Sequence, residues 1–155
     1  MMNFNEEALL KHNKAQGKLG VYSKVGPMLT RSDLSISYTP GVGAVSSHLG
    51  KNSQEAYDYT IKGNTIAVVS DGSAVLGLGN IGPYGALPVM EGKAILFKEL
   101  GGVDAYPIVL STQDPEAIIQ AVTAIAPTFG GINLEDIAAP QCFEIERRLS
   151  ESLDI

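Results

Sequence analysis

Four residues stand out because their type and placement suit chemistry better than packing: Lys93, Glu135, Asp136 and Tyr38. On a helical wheel of residues 88–100, Val89, Leu96, Phe97 and Leu100 share one face, with Met90 and Ala94 at its shoulder. Lys93 points along the centre of that face. Glu91, Lys98 and Glu99 lie opposite, so the helix already has a solvated side on which a lysine could sit. An ammonium in apolar surroundings is costly unless paired, and its pKa tends to fall, which is how a lysine becomes a general base near neutral pH. Two readings stay open: proton abstraction, or a snorkelling side chain whose stem packs while its ammonium reaches water.

Glu135 and Asp136 directly follow a strand-like run, residues 131–134, at the carboxyl end where open α/β sheets bind their ligands. Paired carboxylates there suit a hard divalent cation such as magnesium or manganese, which takes oxygen ligands in octahedral geometry. Neighbours on a strand point to opposite faces, so both can reach one ion only if the chain turns at that point. The alternative is Asp136 as a cap for the helical turn that follows. Two carboxylates do not complete a site, so further ligands must come from elsewhere. Tyr38 precedes Thr39-Pro40, which reads as a helix start with threonine as N-cap and proline at the first helical position, running to a stop at Gly50. The positive end of a helix dipole favours phenolate; an ordinary packing aromatic is the alternative.

Other candidates carry less. His12 and His48 have no partner at metal or triad spacing and read as surface residues. Cys142, the only cysteine, lies in a helix without a nearby histidine and reads as a packing residue. Residues 77–82 (GLGNIG) match the dinucleotide fingerprint letter for letter. A hairpin-like run precedes them, proline and further glycine delay the helix, and Glu99 has the right separation but lies inside a helix. A glycine turn is the better reading, and no cofactor-binding residue is assigned.

The elements that must position these groups follow a regular order. Residues 5–15 read as a short amphipathic helix ended by Gly17, followed by a turn-rich loop. Residues 65–70 (TIAVVS) read as a strand, and an Asp71-Gly72 turn with the apolar run Ala74-Val75-Leu76 reads as a hairpin. Next come the helix carrying Lys93, terminated by Gly101-Gly102, a strand over 105–110, and a helix opened by Asp114-Pro115-Glu116 and running to about residue 126. A strand over 131–134 and a helix over 140–150 complete the series, and 153–155 look like a strand just beginning. Alternating strands and helices with nearly all-apolar strands imply a parallel sheet covered on both faces.

A length of 155 residues with 45% hydrophobic side chains is enough for one core and a single domain. The net charge of −6 is spread along the chain without a basic run, which argues against nucleic acid and against an anionic membrane surface. No stretch is long enough to span a bilayer, nothing resembles a signal peptide, and one cysteine excludes a disulfide framework; a soluble cytoplasmic protein is expected.

Taken together, residues 38–42 (YTPGV), 70–82 (SDGSAVLGLGNIG), 88–93 (PVMEGK) and 133–137 (NLEDI) strongly resemble the malic enzymes, in particular their short bacterial form. Four blocks in the right order make the resemblance specific. It implies an α/β fold with a mainly parallel sheet flanked by helices, of the amino-acid-dehydrogenase-like amino-terminal kind. Residues 1–155 would be the substrate-side domain, with the NAD(P)-binding domain absent from this chain. Members oxidise (S)-malate with NAD or NADP and decarboxylate it to pyruvate and carbon dioxide, using magnesium or manganese. By this resemblance Tyr38 is the general acid, Lys93 the general base, and Glu135 and Asp136 metal ligands. Partners would be malate or pyruvate and a second copy of the chain. Where the long animal and plant enzymes carry an arginine, this chain has Ser73-Ala74-Val75, and the family's third metal-binding aspartate belongs to an HDDQHGT-type block expected beyond Ile155. The isolated chain is therefore expected to be inactive. A malolactic enzyme domain shares these blocks, and a non-catalytic dimerisation or carboxylate-binding module is the alternative from a different class.

Overall fold

Residues 4–155 are described in the computed structural model. In chain order they form α1 (Phe4–Ala15), α2 (Arg31–Ser37), α3 (Val42–Leu49), α4 (Ala56–Tyr59), β1 (Thr65–Ser70), α5 (Gly82–Gly101), β2 (Asp104–Val109), α6 (Pro115–Ile125), β3 (Gly131–Leu134) and α7 (Gln141–Ser152). β1 and β3 coincide with the runs read from sequence, and the expected parallel sheet is present, in the order β2-β1-β3.

The β-branched run of β1 makes it the central strand, nearly all of it buried. Strand alternation sends Ala67 and Val69 to one face, where they join Ile118, Ile119, Val122, Phe129, Ile145 and Leu149 beneath α6 and α7. Val68 points the other way, toward α5, whose buried residues are Ala86, Met90 and Ala94. The chain goes from β1 to β2 on one side, then back across to β3 on the other. Right-handed crossovers therefore place α5 and α6 on opposite faces. β1 and β3 are neighbours whose exit loops lead to opposite faces, which is the topological switch point where such sheets open a crevice.

Three expectations are corrected. Ala74-Val75-Leu76 is not a hairpin strand: both edges of β1 are taken by parallel partners, leaving only an isolated bridge between Val75 and Gly79. The buried stripe of α5 is Ala86, Met90 and Ala94, four residues apart, whereas Val89, Leu96 and Leu100 are exposed. Small side chains and a pliable methionine let the helix approach the sheet closely, so the smaller-residue arc wins over the bulkier one beside it. Lys93 consequently lies on the flank of the buried stripe rather than at the centre of a buried face. Finally, Thr39 does not cap α3, which begins at Val42 behind Gly41 with no side-chain cap. Backbone bonds from Gly41 to the Ser35 carbonyl and from Val42 to the Tyr38 carbonyl close a turn over Thr39-Pro40 and delay the helix.

The loop expected before Tyr38 contains α2, started by a capping box in which Thr30 Oγ1 accepts from the Asp33 amide and Asp33 Oδ2 accepts from the Thr30 amide. Residues 18–24 are strapped to the α5–β2 layer. Lys18 Nζ donates to the Pro88 carbonyl at 2.8 Å and the Lys18 amide to Glu91 at 3.1 Å. Lys24 and Lys98 each donate to Asp104 at 2.7 Å, holding its carboxyl at about 2, well below the usual carboxylate range. α1 to α4 contribute no buried residue. At the other end Leu153 is extended, but 153–155 pair with no strand among the described residues.

Candidate active site

Lys93 and Glu135 meet at the switch point, Nζ to Oε2 at 3.0 Å, with side chains 35% and 25% exposed. α5 brings the lysine from one face of the sheet; β3 brings the glutamate to its carboxyl end, where the Glu135 amide extends the ladder by donating to the Val69 carbonyl at 2.8 Å. The lysine is half-buried and paired, so its desolvation is offset rather than left uncompensated. Asn133, two positions earlier and hence on the same strand face as Glu135, donates its amide to Glu135 Oε2 at 3.2 Å and to the Leu134 carbonyl at 2.9 Å. The sequence by itself assigns Asn133 no task beyond membership of the 133–137 block. The two-residue spacing on a strand was the available signal.

Asp136 supplies the turn that adjacent carboxylates need. Its φ of 53° is left-handed, one of two such values among the described non-glycine residues, and its carbonyl accepts from the Ala74 amide at 3.0 Å. Leaving the extended conformation breaks the alternation that would send neighbouring side chains to opposite faces. Burial pushes the Asp136 carboxyl up, the Glu135 carboxylate pushes it further, and Lys93 pulls it back, so the three groups share one field. The Asp136 carboxylate has no hydrogen-bond donor among the described residues. Asp136 is among the residues that line an open groove of about 590 Å³, with Asn133, Ile137, Cys142 and Phe143.

This donor set fits a hard divalent cation: a partly desolvated carboxylate without a donor beside a second carboxylate is what such an ion satisfies. It is also incomplete, since no group of three or more His, Cys, Asp or Glu able to hold a metal occurs among the described residues.

Tyr38 is not brought to this cluster. It is the C-cap of α2, is 63% exposed, and its hydroxyl makes no hydrogen bond among the described residues. His48 differs from its reading as a plain surface residue, since Nε2 meets Glu55 Oε2 at 2.8 Å and its ring lies against Tyr59. Cys142 packs against the core from α7, as expected. The glycine run 77–82 occupies the loop between β1 and α5, with Gly77, Gly79 and Gly82 at positive φ. β1 ends at Ser70, well before Gly77, and Glu99 lies within α5 rather than at the end of β2. These placements favour the glycine-turn reading.

Fold and site together define a parallel α/β domain with a lysine and paired carboxylates at its switch point. The family model "Malic enzyme, N-terminal domain" matches residues 16–150, and the chain belongs to the malic enzyme family. It is 61% identical over 155 residues to the NAD-dependent malic enzyme of Geobacillus stearothermophilus, covering 100% of this chain and 32% of that protein. It is 55% identical over 154 residues to the bifunctional malic/malolactic enzyme of Bacillus subtilis, covering 99% and 37%. The crystal structure of malic enzyme from Pyrococcus horikoshii matches with a TM-score of 0.94 at 54% identity, covering 99% of this chain and 36% of that one. The chain thus spans about a third of the length of these relatives.

Proposed function

We propose that these 155 residues form the substrate-side half of a malic enzyme site, in which Lys93 is the base and Glu135 with Asp136 the metal-holding pair, while Tyr38, which lies outside that cluster within the single chain, is assigned as the acid on the family resemblance alone. The observation that carries this reading is the Lys93–Glu135 contact of 3.0 Å beside a donor-free Asp136. With its amine unprotonated, Lys93 Nζ would take the proton of the malate 2-hydroxyl as C2 is oxidised, and Glu135, 3.0 Å away, holds the nitrogen at that place. After carbon dioxide departs, Tyr38 returns a proton to C3 to give pyruvate. Glu135 and Asp136 would hold a magnesium or manganese ion, which would supply Lewis-acid polarisation of substrate oxygens. Asn133 orients Glu135. We place nicotinamide binding outside these residues and the working compartment in the cytoplasm. Relatives bear both NAD- and NADP-dependent names, and the bifunctional name of the Bacillus subtilis relative keeps malolactic activity as the second reading.

The test is a manganese titration of the chain followed by the electron paramagnetic resonance of free Mn²⁺, paired with an assay for NAD(P)H formation from malate. Wild type is expected to bind Mn²⁺ weakly, and Glu135→Ala to weaken that binding at least about tenfold, since it removes one of two charged ligands. The 155 residues alone are expected to reduce no NAD(P). Equal Mn²⁺ affinity in the two proteins removes the metal assignment.

The same reading includes pairing with a second copy of the chain. Val21, Leu29, Ile36 and Tyr38, all in the segment ahead of α3, are 85%, 81%, 71% and 63% exposed. Sedimentation velocity is expected to give a dimer for wild type and a monomer for Val21→Asp/Ile36→Asp; an unchanged sedimentation coefficient places the contact elsewhere.

A further inference from the structure

We infer that the turn Asp71–Ala74 is the element that sets the Lys93–carboxylate geometry, with Ser73 as its positioning residue. The turn faces both halves of the site. Toward α5, the Gly72 carbonyl accepts from the amides of Ile81 and Gly82 at 3.1 and 3.2 Å, fixing the start of the helix that carries Lys93. Toward the loop after β3, the Ala74 amide donates to the Asp136 carbonyl at 3.0 Å, and Ser73 Oγ accepts from the Ala138 amide at 2.8 Å. These two bonds bracket Ile137 and hold the left-handed turn at Asp136 from both sides. Ser73 is itself oriented: its hydroxyl donates to Asp71 Oδ1 at 2.6 Å and its amide to the same oxygen at 2.9 Å. Asp71 is 2% exposed, and its neighbour Ser70 accepts from the Gly72 amide at 3.0 Å, so the turn is tied into the end of β1. A buried aspartate thus fixes a serine rotamer, and the serine fixes the backbone that aims the carboxylates.

This inference rests on Glu135 and Asp136 being the metal-holding pair, and Mn²⁺ alone is the probe. Outer groups that orient ligands carry about 10–100-fold of metal affinity, so Ser73→Ala is expected to bind Mn²⁺ about tenfold more weakly with an unchanged far-UV circular dichroism spectrum. Asp71→Ala/Ser73→Ala is expected to bind no more weakly than Ser73→Ala, because Asp71 acts through the serine. Asp114→Ala is the control for stability: it removes the α6 cap that accepts from the Ala117 amide at 2.9 Å and none of the bonds of the Asp71–Ala74 turn, and is expected to keep wild-type affinity. Wild-type affinity in Ser73→Ala overturns the inference while leaving the metal assignment standing. Weakened binding in Asp114→Ala also overturns it, since general stability then explains the loss. Wild-type affinity in Glu135→Ala removes the metal assignment itself.

Discussion

Lys93→Ala is expected to lower kcat for malate oxidation by about 10²–10⁴-fold, the usual contribution of a positioned general base. The assay uses these 155 residues in place of the matching 32% of the Geobacillus stearothermophilus enzyme, so that a nicotinamide site is present. The reason lies in the geometry: Lys93 is held by Glu135 at 3.0 Å, within the field of Asp136, on the flank of a helix that is otherwise docked by Ala86, Met90 and Ala94. A group used for proton transfer in the transition state, and little for ground-state binding, lowers kcat and kcat/KM together and leaves the malate KM nearly unchanged. Partial recovery by an added small primary amine is expected, because the truncated side chain leaves room where the ammonium stood. A structural role predicts the opposite pattern, with an altered KM, reduced expression and no rescue. Activity within a few-fold of wild type returns Lys93 to the snorkelling reading.

Gly72→Ala is expected to destabilise the chain by about 3 kcal/mol, read as a lower urea midpoint at unchanged slope. Gly72 has φ 69°, which costs an L-residue about 1–2 kcal/mol, and its added Cβ would overlap the Gly82 carbonyl. Relief requires the turn to move away from α5, which breaks the bonds from Ile81 and Gly82 to the Gly72 carbonyl, worth about 1 kcal/mol each. Against a typical domain stability of about 5–15 kcal/mol the loss is large. A midpoint within experimental error of wild type shows that the turn relaxes freely and does not brace the helix start.

The parts of the site legible in the sequence were those with a local cause. Lys93 stood out because a cation among apolar side chains is an anomaly that needs no neighbours to notice. The Glu135-Asp136 pair did so because a carboxyl strand end is where α/β ligands bind. The misreadings share a different cause. The hairpin after β1 followed from turn chemistry at Asp71-Gly72, which is real, but the partners of β1 come from residues 104–109 and 131–134 and were invisible in a short window. The wheel of α5 centres the apolar face on Val89, Leu96, Phe97 and Leu100 with Met90 and Ala94 only at its shoulder, because only the sheet decides which side of the helix can approach it. Asn133 and Ser73 went unassigned because their tasks are defined by partners two residues away across a strand face and 65 positions along the chain.

By itself the sequence determined the alternation of strands and helices, the absence of a disulfide framework and the four family blocks, since each depends on residue type, spacing or short-range periodicity. Only the tertiary structure decided that Lys93 pairs with Glu135, that Asp136 turns left-handed to share their field, and that Asp71–Ala74 bridges helix and loop. Those facts depend on strand order: reversing direction across β1 places two exit loops side by side, and no local pattern encodes which strands become neighbours.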